Sequence, residues 1–139
     1  MNGESLVGDL TFRIHHTMLP VADLDRSIDF YTRLLGMKGM GRRLDEAGKV
    51  EVGHVGYGDR DSQPSLELTR DIGGNAPAQV RPTGIYFAIH VNDLQRLSNV
   101  LARERTAFIQ PLEQGRKRVT AWIRDPGRHA IELVEIRAV

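Results

Sequence analysis

Apolar positions along this chain change period in a fixed order, and the order occurs twice. Phe12 to Val21 reads as a buried strand. Leu24, Ile28, Tyr31 and Leu35 then recur at three to four residues, the spacing of one helix face, with Asp23 placed to cap the start and Gly36 to end it. Three further extended segments follow, near Met37 to Leu44, Lys49 to Tyr57 and Ser65 to Arg70, separated by Gly- and Asp-rich turns. The second half repeats the sequence of periods. A strand over Ile85 to Val91 leads into a helix on Leu94, Leu97 and Leu101, and strands are predicted over Thr106 to Leu112, Arg118 to Arg124 and His129 to Ile136.

The two halves also share residues. Val21-Ala22-Asp23-Leu24-Asp25-Arg26 and Val91-Asn92-Asp93-Leu94-Gln95-Arg96 have the common form Val-x-Asp-Leu-x-Arg, 70 positions apart. The last strands match as well, Ser65-Leu66-Glu67-Leu68 against Ala130-Ile131-Glu132-Leu133. Strand alternation sends the flanking apolar side chains one way and the glutamate the other. A carboxylate on a half-buried strand costs free energy unless it is paired, hydrogen-bonded or bound to metal, and this chain places one there twice. The expected fold is α+β, with two βαβββ modules in one body spanning 1–139: module one at 12–70, a Gly-, Pro- and Asn-rich linker at 71–83, and module two at 84–137.

Composition narrows the chemistry. The 139 residues suffice for one core but not for two large domains. With no cysteine, disulfides and zinc ribbons are excluded, and any metal must be held by nitrogen and oxygen. A net charge of +1, from 19 basic and 18 acidic residues well mixed along the chain, offers no field for nucleic acid. No apolar run approaches the roughly 20 residues of a membrane span, and the first residues lack the pattern of a secretory leader. A soluble cytoplasmic protein with no nucleic-acid or membrane partner is expected.

Sliding one half onto the other by 70 positions sets His16 against Tyr86, and Glu67 pairs with Glu132. An imidazole and two carboxylates can hold a divalent metal (Ni, Co, Zn, Mn or Fe) and leave positions open for water or substrate. Two exposed glutamates and a satisfied core histidine are the plain alternative. Among the remaining candidates, His90 lies on the strand face of Tyr86 but about 13 Å further along at strand rise, a position suited to substrate rather than to the metal. His54, on a middle strand, is a reserve ligand. His15 should face away from His16, and His129 should lie at a strand start, more often surface than site. Arg116, Lys117 and Arg118 form a hairpin tip from which Arg118 can reach an anionic group. Trp122 and Phe108 are expected to line the second half, with Trp122 as a substrate contact.

The block His16-Thr17-Met18-Leu19-Pro20-Val21-Ala22-Asp23-Leu24, then Ser27-Ile28-Asp29-Phe30-Tyr31 and Leu35-Gly36-Met37, resembles the opening of glyoxalase I enzymes of the vicinal oxygen chelate superfamily. Val55-Gly56-Tyr57-Gly58, Leu66-Glu67-Leu68-Thr69, Asp125-Pro126 and Ile131-Glu132-Leu133 continue the resemblance. It implies curved half-barrel modules, a homodimer whose sites are completed by modules of different chains, and metal ligation by His16, Glu67 and Glu132. It also implies a lactoylglutathione lyase-like reaction on a small oxygenated molecule: a metal polarises a carbonyl while a carboxylate, here Glu132 with Glu67 as the second catalytic candidate, moves the neighbouring proton.

The chain departs from that family at three places. The family's second histidine falls on Tyr86, which can ligate only through a phenol or phenolate oxygen. Pro20 replaces an arginine that binds a glutathione carboxylate, and Asp71 replaces an asparagine. These departures open two other expectations, an epimerase, cyclase or related enzyme with a non-glutathione substrate, and a metal-free small-molecule binding or resistance protein.

Overall fold

A computed structural model of the chain describes residues 6–59, 62–73 and 86–137. In chain order the elements are β1 (His16–Pro20), α1 (Leu24–Asp29) continued by a π-helical turn (Phe30–Leu34), β2 (Lys38–Asp45), β3 (Val50–Gly56) and β4 (Ser65–Asp71). The second set is β5 (Phe87–His90), α2 (Leu94–Arg103), β6 (Ala107–Gln114), β7 (Arg118–Arg124) and β8 (Ala130–Ile136). They form two four-stranded sheets of identical topology, β1-β4-β3-β2 and β5-β8-β7-β6, in which the first strand runs parallel to the last and the other pairs are antiparallel. The α+β class and the two βαβββ modules are thus as expected. Most of the expected linker, from residue 74 on, lies outside the described residues.

The repeated Val-x-Asp-Leu-x-Arg segment does the same physical work in both copies. Asp23 and Asp93 each accept, at 3.1 Å, the backbone N–H of the arginine three residues on, Arg26 and Arg96, and so satisfy a helix-start donor that has no partner within the helix. Leu24 and Leu94 then bury at 2% and 0% exposure. Gly36 ends the first helical segment at φ +73°, the left-handed conformation that suits glycine there. Gly53 lets α1 lie close on β3, since a Cβ there would stand 2.8 Å from Ile28 Cδ1. Each sheet therefore has a helix-covered face, with Leu19, Val55, Leu66 and Leu68 in module one and Ile89, Val119, Ala121, Ile123, Ile131 and Leu133 in module two.

Three local expectations need correction. β1 begins at His16, not Phe12, because its parallel partner β4 begins at Ser65, opposite His16; Phe12 and Ile14 are exposed. Phe108 pairs with Ile123 and packs on the helix-side core, so of the two aromatics only Trp122 lies on the other face. His129 is among the most buried side chains, at 1% exposure.

That burial is part of the seam between the modules. His129 Nε2 meets the Pro20 carbonyl oxygen at 2.8 Å, and Tyr31 Oη donates to Asp125 Oδ2 at 2.5 Å. Asp125 Oδ1 accepts from the His129 backbone N–H at 2.8 Å, and the Tyr31 ring lies 6.4 Å from that of Phe87. Burial foremost, then the charge and hydrogen bond of Asp125, push the Tyr31 phenol well above its ordinary pKa.

Candidate functional site

On the sheet faces away from the helices, register builds two matching rows. In module one, Glu67 lies directly across from His54 on β3, and Met18 is its parallel neighbour on β1. In module two, Glu132 lies across from Trp122 on β7, with Ala88 as its parallel neighbour on β5. His16 precedes Met18 by two residues, as Tyr86 precedes Ala88. The rows read His16–Glu67–His54 and Tyr86–Glu132–Trp122, so the alignment of Tyr86 with His16 inferred from the sequence repeat is also a spatial equivalence.

The first row is in contact. His16 Nε2 stands 2.6 Å from Glu67 Oε2, and His54 Nε2 and Arg43 Nη2 stand 3.8 and 3.6 Å from Glu67 Oε1. The Glu67 side chain is 12% exposed against 43% for His16, so the carboxylate is largely shielded from solvent while the imidazole is open to it. His15, expected to face away, touches His16 instead, Nδ1 to Nδ1 at 2.9 Å with rings edge to face. One ring nitrogen must donate and the other accept. The 2.6 Å contact with Glu67 places a proton on His16 Nε2, so a neutral His16 accepts from His15 at Nδ1; a cation bound between His16 and Glu67 would take the place of that proton, with His16 Nδ1–H then donating to His15.

The second row is aromatic. Tyr86 and Trp122 pack with ring centroids 4.8 Å apart at 65°, a T-shaped contact, and Tyr86 remains 57% exposed. Glu132 is half-buried and, among the described residues, has no ion-pair or hydrogen-bond partner. His90, at the end of β5, lines a cleft of about 360 Å³ with Leu34, Leu35 and Tyr57 of module one. Tyr57 donates to the Leu35 carbonyl at 2.6 Å, and burial raises its pKa. Arg118 opens β7 beside a tight turn in which the Gly115 N–H donates to the Arg118 carbonyl; its side chain is exposed. His16 and Glu67 are thus brought together, Tyr86 and Trp122 are brought together, and among the described residues no group of three or more His, Asp or Glu side chains converges as a metal site within one chain.

Residues 13–133 match the model of the Glyoxalase/Bleomycin resistance protein/Dioxygenase superfamily. The chain belongs to that superfamily. Within it, the chain is 31% identical over 132 residues to the lactoylglutathione lyase of Neisseria meningitidis serogroup A, covering 88% of this chain and 90% of that one. It is 33% identical over 126 residues to the lactoylglutathione lyase of Escherichia coli O157:H7, with 88% and 92% covered. Among solved structures, glyoxalase I of Leishmania major superposes with a TM-score of 0.78 at 33% identity, covering 90% of this chain and 87% of that one. The protein is therefore a glyoxalase I-like enzyme of the lyase type, carrying the superfamily's two modules in one short chain. No helix among the described residues is long and apolar enough to cross a membrane.

The feature missed from sequence was Arg43. Its signal was weak, a basic residue on β2, and only the antiparallel register that sets Arg43 beside Val52 brings its guanidinium to Glu67.

Proposed function

We propose that the protein is a metal-dependent isomerising lyase of the glyoxalase I type, acting on a small oxygenated substrate in sites that two copies of the chain complete together. The observation that carries this is the 2.6 Å pairing of His16 with Glu67 on one sheet, together with the unpartnered Glu132 at the equivalent place on the other. The residues fit a divalent ion. An imidazole nitrogen and carboxylate oxygens are borderline-to-hard donors suited to Ni, Co, Zn, Mn or Fe, and His15 is placed to fix the His16 tautomer.

Among the described residues no three donor side chains converge within one chain, and β1 and β5 are both sheet edges, bearing or flanked by the exposed apolar side chains Met18 and Tyr86. Exposed edges of this kind invite pairing with another strand. Laying β1 of one copy beside β5 of another would cover them and bring His16 and Glu67 toward the partner subunit's Glu132.

When bound, the metal supplies electrophilic polarisation of a substrate oxygen. The protein's own groups do the rest. Glu132, with no competing partner in its chain, takes the proton from the hydroxyl-bearing carbon next to the carbonyl and returns it to the former carbonyl carbon, while the hydroxyl proton passes to the former carbonyl oxygen, which together make the net change in an isomerisation of a hydroxy-carbonyl. Trp122 and Tyr86 wall the carboxylate with apolar surface and keep water from quenching the transfer. Arg43 supplies a cation beside Glu67, where an anionic substrate group would be met.

The thiol part of the substrate is a separate matter. Pro20 offers no cation where the family resemblance calls for one, and its carbonyl is engaged by His129. The Leishmania major relative is described as trypanothione-dependent, so glutathione is not the sole thiol associated with this fold. We infer a substrate other than the simple glutathione hemithioacetal.

Elemental analysis after metal loading, followed by turnover of the glutathione–methylglyoxal hemithioacetal, tests both parts. About one metal per chain and an efficiency well below about 10⁵ per molar per second are expected. Metal content unchanged in both Glu67→Ala and Glu132→Ala would overturn the site. Efficiency at or above that level would overturn the inference from Pro20.

A further inference from the structure

A second site lies at the seam between the modules, in a cleft of about 410 Å³ that contains none of His16, Glu67, Tyr86 or Glu132. Five arginines line it: Arg26 and Arg33 from the first helical segment, Arg105 from the turn after α2, and Arg124 and Arg128 flanking the β7–β8 connection. Phe30 contributes an apolar wall.

The carboxylates of the cleft do not neutralise this set. Asp29 and Glu104 both pair with Arg33, at 3.1 and 2.6 Å, and Asp125 is engaged by the Tyr31 hydroxyl and the His129 N–H. Among the described residues, Arg26, Arg105, Arg124 and Arg128 pair with no carboxylate. Arg124 donates to the Arg128 carbonyl, at 2.9 Å.

Backbone conformation adds an independent observation. Arg105 at φ +59° and Arg128 at φ +70° occupy the left-handed region that favours glycine. Arg105 stands just past the α2 C-cap, where glycine is the relaxed choice, with the Thr106 N–H closing on the Leu101 carbonyl at 2.9 Å. At the other turn a glycine is at hand one residue too early: Gly127 does not take the positive φ, and Arg128 does. Among the described residues, three non-glycine residues have positive φ, and two of them are thus arginines of one cleft. Both positions keep an arginine where glycine would relax the backbone, and both line the same cleft.

We propose that this cleft binds a small phosphorylated metabolite, a phosphate monoester dianion, through Arg105, Arg124 and Arg128 with Arg26 at the rim. Guanidinium forks match phosphate oxygens two at a time, and a terminal phosphate offers three such oxygens and close to two charges. A single carboxylate would satisfy one fork and leave the others. Because the cleft is walled by both modules, a bound dianion would tie them together and stabilise the folded chain by mass action.

Calorimetric titration of the metal-loaded protein with glycerol 3-phosphate, at fixed ionic strength, tests the proposal against malate as a dicarboxylate control. Wild type should bind the phosphate ester saturably and more tightly than malate. The double variant Arg105→Gly/Arg128→Gly should melt no lower than wild type without ligand, since glycine relaxes both turns. It should nonetheless lose about a hundredfold or more in affinity, as expected for two charged hydrogen-bond donors. Arg26→Gln/Arg124→Gln, changed at exposed positions, should also weaken binding, and Glu132→Gln should leave it intact. The proposal is overturned if wild type gives no saturable binding, if malate binds as tightly, if both double variants keep wild-type affinity, or if Glu132→Gln alone abolishes binding and so places the ligand at the other site.

Discussion

The two modules share strand order, helix cap and glutamate position, yet they carry opposite chemistry around that glutamate. In module one it is flanked by His16 and His54 and reached by Arg43. In module two its neighbours in the equivalent places are Tyr86 and Trp122, which pack on each other. A duplicated scaffold therefore yields one half suited to holding a cation and one half suited to surrounding a reactive carboxylate. Register alone fixes where such residues stand, because a one-residue slip would send every one of them to the helix-covered face.

The sharpest way to break this division of labour is to remove the carboxylate from the aromatic half. Glu132→Gln keeps size and shape but cannot accept a proton, so turnover of the best substrate should fall by about 10² to 10⁴-fold, the usual worth of a positioned acid/base group. A fall of less than tenfold in steady-state kcat would mean that the proton is moved by another residue.

Restoring the imidazole and the cation that the family resemblance calls for should act in the opposite direction. Tyr86→His restores an imidazole at the place equivalent to His16, and Pro20→Arg restores a cation for a substrate carboxylate. One charged hydrogen bond contributes about 1.5–3 kcal/mol, so the double variant should gain roughly one to two powers of ten in kcat/KM on the glutathione hemithioacetal, and more than either single variant. An unchanged ratio would show that the tyrosine row is not a replacement for ligands but part of a different site.

The seam that holds the modules in place sets the next effect. Tyr31→Phe leaves the buried Asp125 carboxylate short of one donor, and unfolding by urea should show a loss of about 1–3 kcal/mol. The pH dependence has a definite sign. Tyr31 is held protonated in the folded state well above the ordinary tyrosine value, so its contribution is complete below about pH 10, where the unfolded chain also keeps the proton. Above that pH the unfolded chain ionises first, and stability should fall by up to about 1.4 kcal/mol per pH unit from this group. Tyr31→Phe should flatten that alkaline limb. A slope identical in wild type and variant would rule Tyr31 out as its source.

Much of this was legible in the sequence, for identifiable reasons. The helix starts could be read because Asp23 and Asp93 do local work, each capping an amide three residues on. The glutamate rows could be read because alternation is a property of any strand: Leu66 and Leu68 bury at 9% and 0% while Glu67 points the other way. What escaped depends on contacts between distant segments. His129 looked like a surface residue at a strand start, but it is buried by Pro20, 109 positions earlier in the chain. Tyr31 carried the helix period, yet nothing local marks Asp125, 94 positions on, as its partner. The start of β1 was overextended because an apolar run ahead of a strand looks the same whether or not a partner strand reaches it, and β4 does not.

The central claim, that His16 and Glu67 of one copy share a metal with Glu132 of another, is tested most directly by mixed dimers. Chains carrying Glu67→Ala and chains carrying Glu132→Ala, given different affinity tags, are co-expressed, and the doubly tagged dimer is purified and its metal measured. A site formed across two copies leaves one site intact and one doubly damaged, so the mixed dimer should hold about one tightly bound metal while neither parent dimer holds any. A mixed dimer as empty as its parents would place each site within a single chain, and a doubly tagged species that never forms would contradict the dimer itself.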